Sequence, residues 1–404
     1  MGKATVVHII TKLELGGAQQ NTLFTIAHLN RNDYKPVLIS GTEGMLVEDA
    51  KKINDLEVYL IPELVREIRP VKDMIAFFKI KQILHQLQGN TAEGEKLASS
   101  SAIIVHTHSS KAGIIGRWAA KIAGVRLVIH TIHGFSFNDY QPSLLRAFYI
   151  FLERVTSLIT TKYIAVSRSN IETGVKKNIF NREKAVFIRS GIDIDSFQKT
   201  RFNRIRMREA LKIEPAIPLV AMIACFKPQK APLDFIRMAK AVSDEICEVR
   251  FLLVGDGVLR PRIEKMIREL AIEDKVILLG WRRDIPDIMS CIDILVLTSL
   301  WEGLPRVVPQ AMAAGIPVVA TQVDGSPETV RNGVNGYLLL PGDIRGMAEQ
   351  IAYLIKNPEK ARAMGEKGKQ LVGEFDVWSM VSQQANLYKS LLEQTETKNL
   401  NESV

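Results

Sequence analysis

The sequence is short of cysteine, and what it has is not arranged for bonding. Cys225, Cys247 and Cys291 form no CxxC pair, so neither a disulfide framework nor a thiolate metal site is encoded. Three scattered thiols fit a reducing cytoplasm. The chain also lacks a metal-ligand cluster at recognisable spacing. Its start, MGKATVVHII, runs straight into an apolar strand, without the basic segment, long apolar segment and small-residue cleavage site of a signal peptide. No uncharged apolar run approaches the ~18 residues of a membrane span. The most apolar long segment, Leu144–Thr160, carries Arg146, Glu153 and Arg154 and reads as a buried or interfacial helix. Short-period repeats and nucleic-acid recognition motifs are missing as well.

What is present is an ordinary globular composition, 47% hydrophobic and 24% charged, over 404 residues. That length exceeds what one hydrophobic core usually serves, so two domains are expected. The net charge of +9 favours anionic partners such as phosphorylated small molecules or acidic lipid. Basic residues thicken in VREIRPVK (65–72) and between Lys176 and Arg208.

Short apolar runs alternate with longer helical patterns. ATVVHII, YKPVLIS, AIIVHTHS, RLVIHTIHG and TKYIAVSRS read as five strands. After about residue 210 the pattern restarts with IPLVAMIAC, VRFLLVGDG, KVILLGW, DILVLTS and IPVVAT. Continuous Val/Ile runs separated by helices predict parallel sheets covered on both faces. The fold class is α/β, two doubly wound Rossmann-like domains. They are expected at 1–195 and 210–375, with a terminal helix near 376–396 packing back on the first. The basic stretch Ile194–Pro218 is the linker candidate. In such sheets ligands bind beyond the carboxyl ends of strands, and the notable residues fall there.

Gly16 and Gly17 follow the first strand and open a helix, where free amides and the helix dipole suit an anion. The full GxGxxG pattern is not met. In CFKPQKAPLDF, Lys227 and Lys230 stand beside another helix start and suit a phosphate. Gly255 in VGDG permits a tight turn. Trp281 and Arg282 follow a later strand, and Asp284 is a candidate cap for the next helix. SLWEGLPRVVPQAMAAG carries the strongest signal. Gly303 and Pro305 are expected to open a helix, with Leu304 between them. Glu302 at the strand end can hold hydroxyls through both oxygens. Gln310, eight residues on, would lie ~12 Å along a helix axis. Among the histidines that follow strands (His106, His108, His130, His133), His133 before Gly134 is the most cleft-like.

Taken in order, GGAQ, HTIHG, KPQK, VGDG, EGLP…Q, GIPVVAT and NGVNGYL resemble glycosyltransferase family 4, retaining enzymes of the GT-B architecture. The resemblance covers nearly the whole chain. It implies domains that close over a nucleotide-sugar, with Gly16 and Gly17 approaching the diphosphate and Lys230 neutralising it. It further implies that Glu302 contacts donor-sugar hydroxyls, that amides around Gly303, Leu304 and Pro305 face the phosphates, and that His133 contacts the sugar near the reacting carbon. Gly255, Lys227, Trp281 and Arg282 join the donor-binding set. No metal or cofactor is implied. The expected partners are a nucleotide-sugar, a saccharide or lipid-linked acceptor and an anionic membrane face, with no nucleic acid. The expected location is cytoplasmic, peripheral on the inner face of the membrane.

Two positions leave the family pattern. Gln310 stands where the second glutamate of the motif would hold ribose hydroxyls. Cys225 stands where an arginine precedes the lysine, and Lys227 is a candidate to supply that charge. These departures keep a catalytically weak binding module open beside the transferase. An epimerase-like or phosphorylase-like GT-B enzyme is the other alternative.

Overall fold

The computed structural model describes residues 3–89, 102–199 and 203–402, with side chains to residue 397. Contacts divide the chain into two units. Unit 1 is Met1–Ser190 with Trp378–Val404, and unit 2 is Gly191–Val377.

Unit 1 is built on seven strands: β1 (Ala4–Ile10), β2 (Tyr34–Ser40), β3 (Glu57–Leu60), β4 (Ile103–His108), β5 (Leu127–Ile132), β6 (Lys162–Ala165) and β7 (Ala185–Phe187). They are all parallel, in the order β3-β2-β1-β4-β5-β6-β7. Every residue of β1, β4 and β5 is buried. That explains their near-continuous apolar sequences, because helices cover both faces. One face packs Val7, Ile9, Val37 and Val105 against Ala76, Ile80 and Leu84 of the Pro70–Leu87 helix. The other packs Ile10 and Leu38 against Leu23 and Ile26 of the Gly17–His28 helix. The strands β3 and β7 were not foreseen. They have four and three residues, lie at the sheet edges and are only half-buried, so no long apolar run marks them.

Unit 2 has six parallel strands: β8 (Leu219–Ile223), β9 (Arg250–Val254), β10 (Val276–Leu278), β11 (Ile294–Leu297), β12 (Val318–Thr321) and β13 (Gly336–Leu339). Their order, β10-β9-β8-β11-β12-β13, repeats that of the first sheet. Phe226, Phe235, Phe251, Ile263 and Met347 fill its core. In each sheet the strand order reverses once, between β1 and β4 and between β8 and β11. At such a switch point the loops diverge and leave a crevice.

The basic segment 194–210 is folded into unit 2, where the sequence suggested a linker. It carries helices Ile194–Lys199 and Arg204–Ala210. Arg208 is buried and gives Nη1 to the carbonyls of Glu214, Pro215 and Ile217. Asp293 takes one hydrogen bond from Arg208 and one from Arg204, each 2.6 Å. Carboxylate and carbonyl pairing makes burial of the Arg208 guanidinium tolerable. The terminal helix Val377–Glu402 contributes to unit 1: Tyr34 Oη donates to the Ala385 carbonyl, 3.0 Å.

Candidate active site

In unit 2 the loop after β8 meets the loop after β11. Lys227 precedes a 3-10 turn, Pro228–Lys230, and Lys230 is its last residue. Ala231 then takes φ of +43°, which turns the chain into the Pro232–Glu245 helix. Thr298, just past β11, fastens this turn by donating to the carbonyls of Lys230 (2.8 Å) and Ala231 (3.0 Å). Gln229 ties the loops again: its Nε2 donates to the Trp301 carbonyl (2.9 Å), and its own carbonyl accepts from Leu300 N (2.8 Å).

The result is an ion pair between Lys230 Nζ and Glu302 Oε1. Glu302 is buried, and the same oxygen accepts from Ser299 Oγ at 2.6 Å. Ser299 is anchored by Thr321, whose hydroxyl donates to its carbonyl. The Glu302 amide donates to Asp324 Oδ2, 2.7 Å. One carboxylate oxygen is thus saturated, leaving Oε2 for further donors such as sugar hydroxyls. Asp324 and Ser299 were not singled out from sequence. Asp324 lies 22 positions from Glu302, and only its place after β12 signals it.

Several expectations need correction. The helix after Glu302 begins at Val307, beyond Gly303, Leu304 and Pro305. Pro305 disfavours helical backbone at Leu304, so residues 302–305 form a loop and the 12 Å axial spacing to Gln310 does not apply. Gln310 sits half-buried on the short Val307–Ala314 helix. Asp284 does not cap the helix from Ile285, because Arg282 holds its carboxylate in a two-pronged pair of 2.7 and 2.5 Å. That pairing also keeps the Asp284 carboxyl below its ordinary range. Trp281 beside it is 39% exposed. Gly255 is a structural requirement: at φ of +132° a Cβ would run into the Ala224 carbonyl.

In unit 1, Gly16 is the N-cap of the Gly17–His28 helix, and no side chain caps it. A histidine cluster occupies the β1/β4 switch point. His8 on β1 pairs in register with His106 on β4. His106 bonds Tyr388 Oη and Thr131 Oγ1, both 2.6 Å. His108 lies between His8 (3.0 Å) and His133 (3.3 Å). His130 bonds the Thr107 hydroxyl at 2.9 Å. His133 follows β5 and is half-buried. It lines a small cavity with Asn21, Thr25, His108 and Gln384. Burial holds the His8 pKa down to about 3 and those of His106, His108 and His130 well below the usual value. The nitrogens of His8, His106 and His108 lie within 4.8 Å of one another, the spacing of a metal triad. Five of the six already carry hydrogen bonds. A metal would have to break several of them, so the donor set fits a hydrogen-bonded network better than a coordination site.

Two parallel sheets with the same reversal, each placing polar groups beyond its switch point, define the GT-B class of glycosyltransferases. Residues 203–371 match the family model for glycosyl transferases group 1, and residues 15–196 match that for glycosyltransferase family 4. The chain is 30% identical over 346 residues, 85% of each chain, to the UDP-Gal:alpha-D-GlcNAc-diphosphoundecaprenol alpha-1,3-galactosyltransferase of Escherichia coli. It is 28% identical over 301 residues, 72% of this chain and 75% of the relative, to N-acetyl-alpha-D-glucosaminyl L-malate synthase of Bacillus anthracis. The crystal structure of Anabaena Alr3699/HepE with UDP and glucose matches at a TM-score of 0.78 and 21% identity, covering 95% of this chain and 99% of that one. The chain belongs to glycosyltransferase family 4, and it is a glycosyltransferase.

Proposed function

We propose that the enzyme moves a sugar from a UDP-sugar to a lipid-linked saccharide diphosphate, with retention at the transferred carbon, in cell-envelope polysaccharide synthesis. The observation that carries this reading is the Lys230–Glu302 pair at the unit 2 switch point. As the sugar–phosphate bond breaks, its electron pair goes to the departing diphosphate. Lys230 is the cation for that charge, and stabilisation of a developing charge by preorganised groups is usually the largest single term in catalysis. Glu302 Oε2 accepts from donor-sugar hydroxyls. His133 and the amides at Gly16 and Gly17 serve the sugar and the diphosphate from unit 1. Gly303, Leu304 and Lys227 serve the phosphates, and Gln310 the ribose. Because Lys230 supplies the positive charge, no metal is required in this reading. UDP and the lipid diphosphate are taken from the Escherichia coli relative, whose name contains both.

The test is a transfer assay with UDP-hexoses and a diphospholipid-linked sugar, run with and without EDTA. Transfer that EDTA does not slow, giving a product with the donor's anomeric configuration, supports the proposal. Donor epimerised or hydrolysed without transfer contradicts it.

The proposal extends to an anionic membrane surface. No helix among the described residues is long and apolar enough to cross a membrane. The Ser143–Ser157 helix, however, is turned inside out. It buries Glu153, Thr156 and Ser157, while Leu144, Leu145, Phe148 and Phe151 are exposed. Arg117, fully buried, holds Glu153 at 2.8 Å and fixes that orientation. A second apolar stripe, Val71, Met74, Ile75 and Phe78, is exposed on the Pro70–Leu87 helix, next to Arg66, Arg69 and Lys72. Apolar side chains beside basic ones suit an acidic lipid surface. Phe148→Ser with Phe151→Ser should reduce pelleting with anionic liposomes and leave transfer to a detergent-solubilised acceptor unchanged. Wild-type protein that fails to pellet at low salt would rule this part out.

A further inference from the structure

Three histidines of unit 1 form a line. His133 Nε2 lies 3.3 Å from His108 Nδ1, and His108 Nε2 lies 3.0 Å from His8 Nδ1. The His8 and His108 ring centroids are 5.3 Å apart and their planes within 11° of parallel, compatible with a bond that lies in both planes. Both nitrogens of His108 are therefore used, one by each neighbour. The other two histidines of the cluster stand outside the line: His106 is taken by Tyr388 and Thr131, and His130 by Thr107.

A neutral imidazole carries one N–H and one lone pair. Burial disfavours the charged form of His8 and His108, so the two are neutral at ordinary pH. A line of neutral rings must then point one way throughout. Its far end decides which way. His8 Nε2 is buried and has no hydrogen-bond partner. If the line ran from His133 toward His8, this nitrogen would carry a buried N–H with no acceptor. If it runs from His8 toward His133, the end is only a bare lone pair. Orphaned buried N–H groups are the rarer of the two kinds. The direction is thus His8 Nδ1–H to His108 Nε2, then His108 Nδ1–H to His133 Nε2.

We propose that His8 and His108 are positioning residues that hold His133 with its proton on Nδ1, so that it meets an oxygen of the donor sugar as an N–H donor. The proposal rests on the reading of His133 as a sugar contact. Its structural part, the tautomer, does not. Only the tautomer that accepts at Nε2 carries the donor on Nδ1.

The test is nitrogen NMR of the full chain labelled with 15N-histidine, in which only seven imidazoles contribute. At pH 7.5 we expect His8, His108 and His133 each protonated on Nδ1 alone. His133 protonated on Nε2, or averaging between both, overturns the proposal without any variant being made. His8→Leu removes the first donor. It should mix the His133 tautomers and lower kcat about tenfold with donor KM unchanged, the size seen when an outer group fixing a histidine is lost. His8→Asn, whose amide sits near the Nδ1 position, should recover most of the loss. A His8→Leu protein with an unmixed His133 tautomer and wild-type kcat contradicts the proposal. His133→Ala at wild-type turnover would remove the sugar contact instead, while the spectrum still decides the tautomer.

Discussion

The two switch points of this enzyme share a strand order and differ in chemistry. Between β8 and β11 the sequence places a full charge pair, Lys230 and Glu302, largely shielded from solvent. Between β1 and β4 it places buried imidazoles whose burial keeps them uncharged. The physical division follows. A charge that develops in the reaction needs a fixed opposite charge, and unit 2 has one. Recognition of neutral sugar hydroxyls needs only directed hydrogen bonds, and under the proposed function half-buried His133, backed by the buried rings, would supply one from unit 1. Equivalent positions in one fold thus carry unlike chemistry.

The comparison breaks most readily at Glu302. Glu302→Gln removes charge-assisted hydrogen bonds, worth about 1.5–3 kcal/mol each, and leaves Lys230 without its partner. We expect kcat/KM to fall about a hundredfold, measured with saturating acceptor. A fall under threefold would deny Glu302 its place in the site.

The neutral side is tested by pH. Unfolded, His8, His106, His108 and His130 bind protons near the ordinary imidazole value of 6.5; folded, they do so only far lower. The unfolded state therefore holds more protons below that value, and stability falls as pH drops. Each histidine contributes at most about 1.4 kcal/mol per pH unit. Urea midpoints should be level from pH 8 to 7 and decline steeply from 6.5 to 5. A midpoint that is flat down to pH 5 would mean that the cluster is charged in the folded protein.

Smaller effects sharpen the charged side. Lys227→Ala should lower kcat/KM about tenfold if this lysine replaces the missing arginine charge; roughly 1.4 kcal/mol corresponds to that factor. A loss within twofold assigns the task to Lys230 alone. Gln310→Glu exchanges a neutral hydrogen bond for a charge-assisted one, worth about 1 kcal/mol. Donor KM should fall about fivefold. Abolished activity would mean that the site is built around the neutral amide.

Much of this was legible from sequence. Buried parallel strands announce themselves as apolar runs, and residues just past them are candidates by position, which is how Lys230, Glu302 and His133 came forward. The rest depends on contacts distant in sequence. Nothing local says that Asp324 would take the Glu302 amide, or that Ser299 would share its carboxylate. The line through His8 was hidden because His8 and His108 are 100 residues apart and meet only through strand pairing. The helix start was misplaced because Gly303 and Pro305 fit a helix opening, while the Glu302 amide is bonded to Asp324 and Pro305 restrains Leu304. The Ile194–Pro218 stretch misled by composition. Two of its arginines, buried Arg208 and half-buried Arg204, pair with Asp293, 85 and 89 residues on.

The division of labour is tested most directly by titrating UDP into wild type, Lys230→Met and His133→Phe in a calorimeter. The account expects Lys230→Met to weaken UDP binding at least tenfold, and His133→Phe to bind UDP within twofold of wild type while its turnover falls. UDP affinity lost equally in both variants, or retained in Lys230→Met, would contradict it.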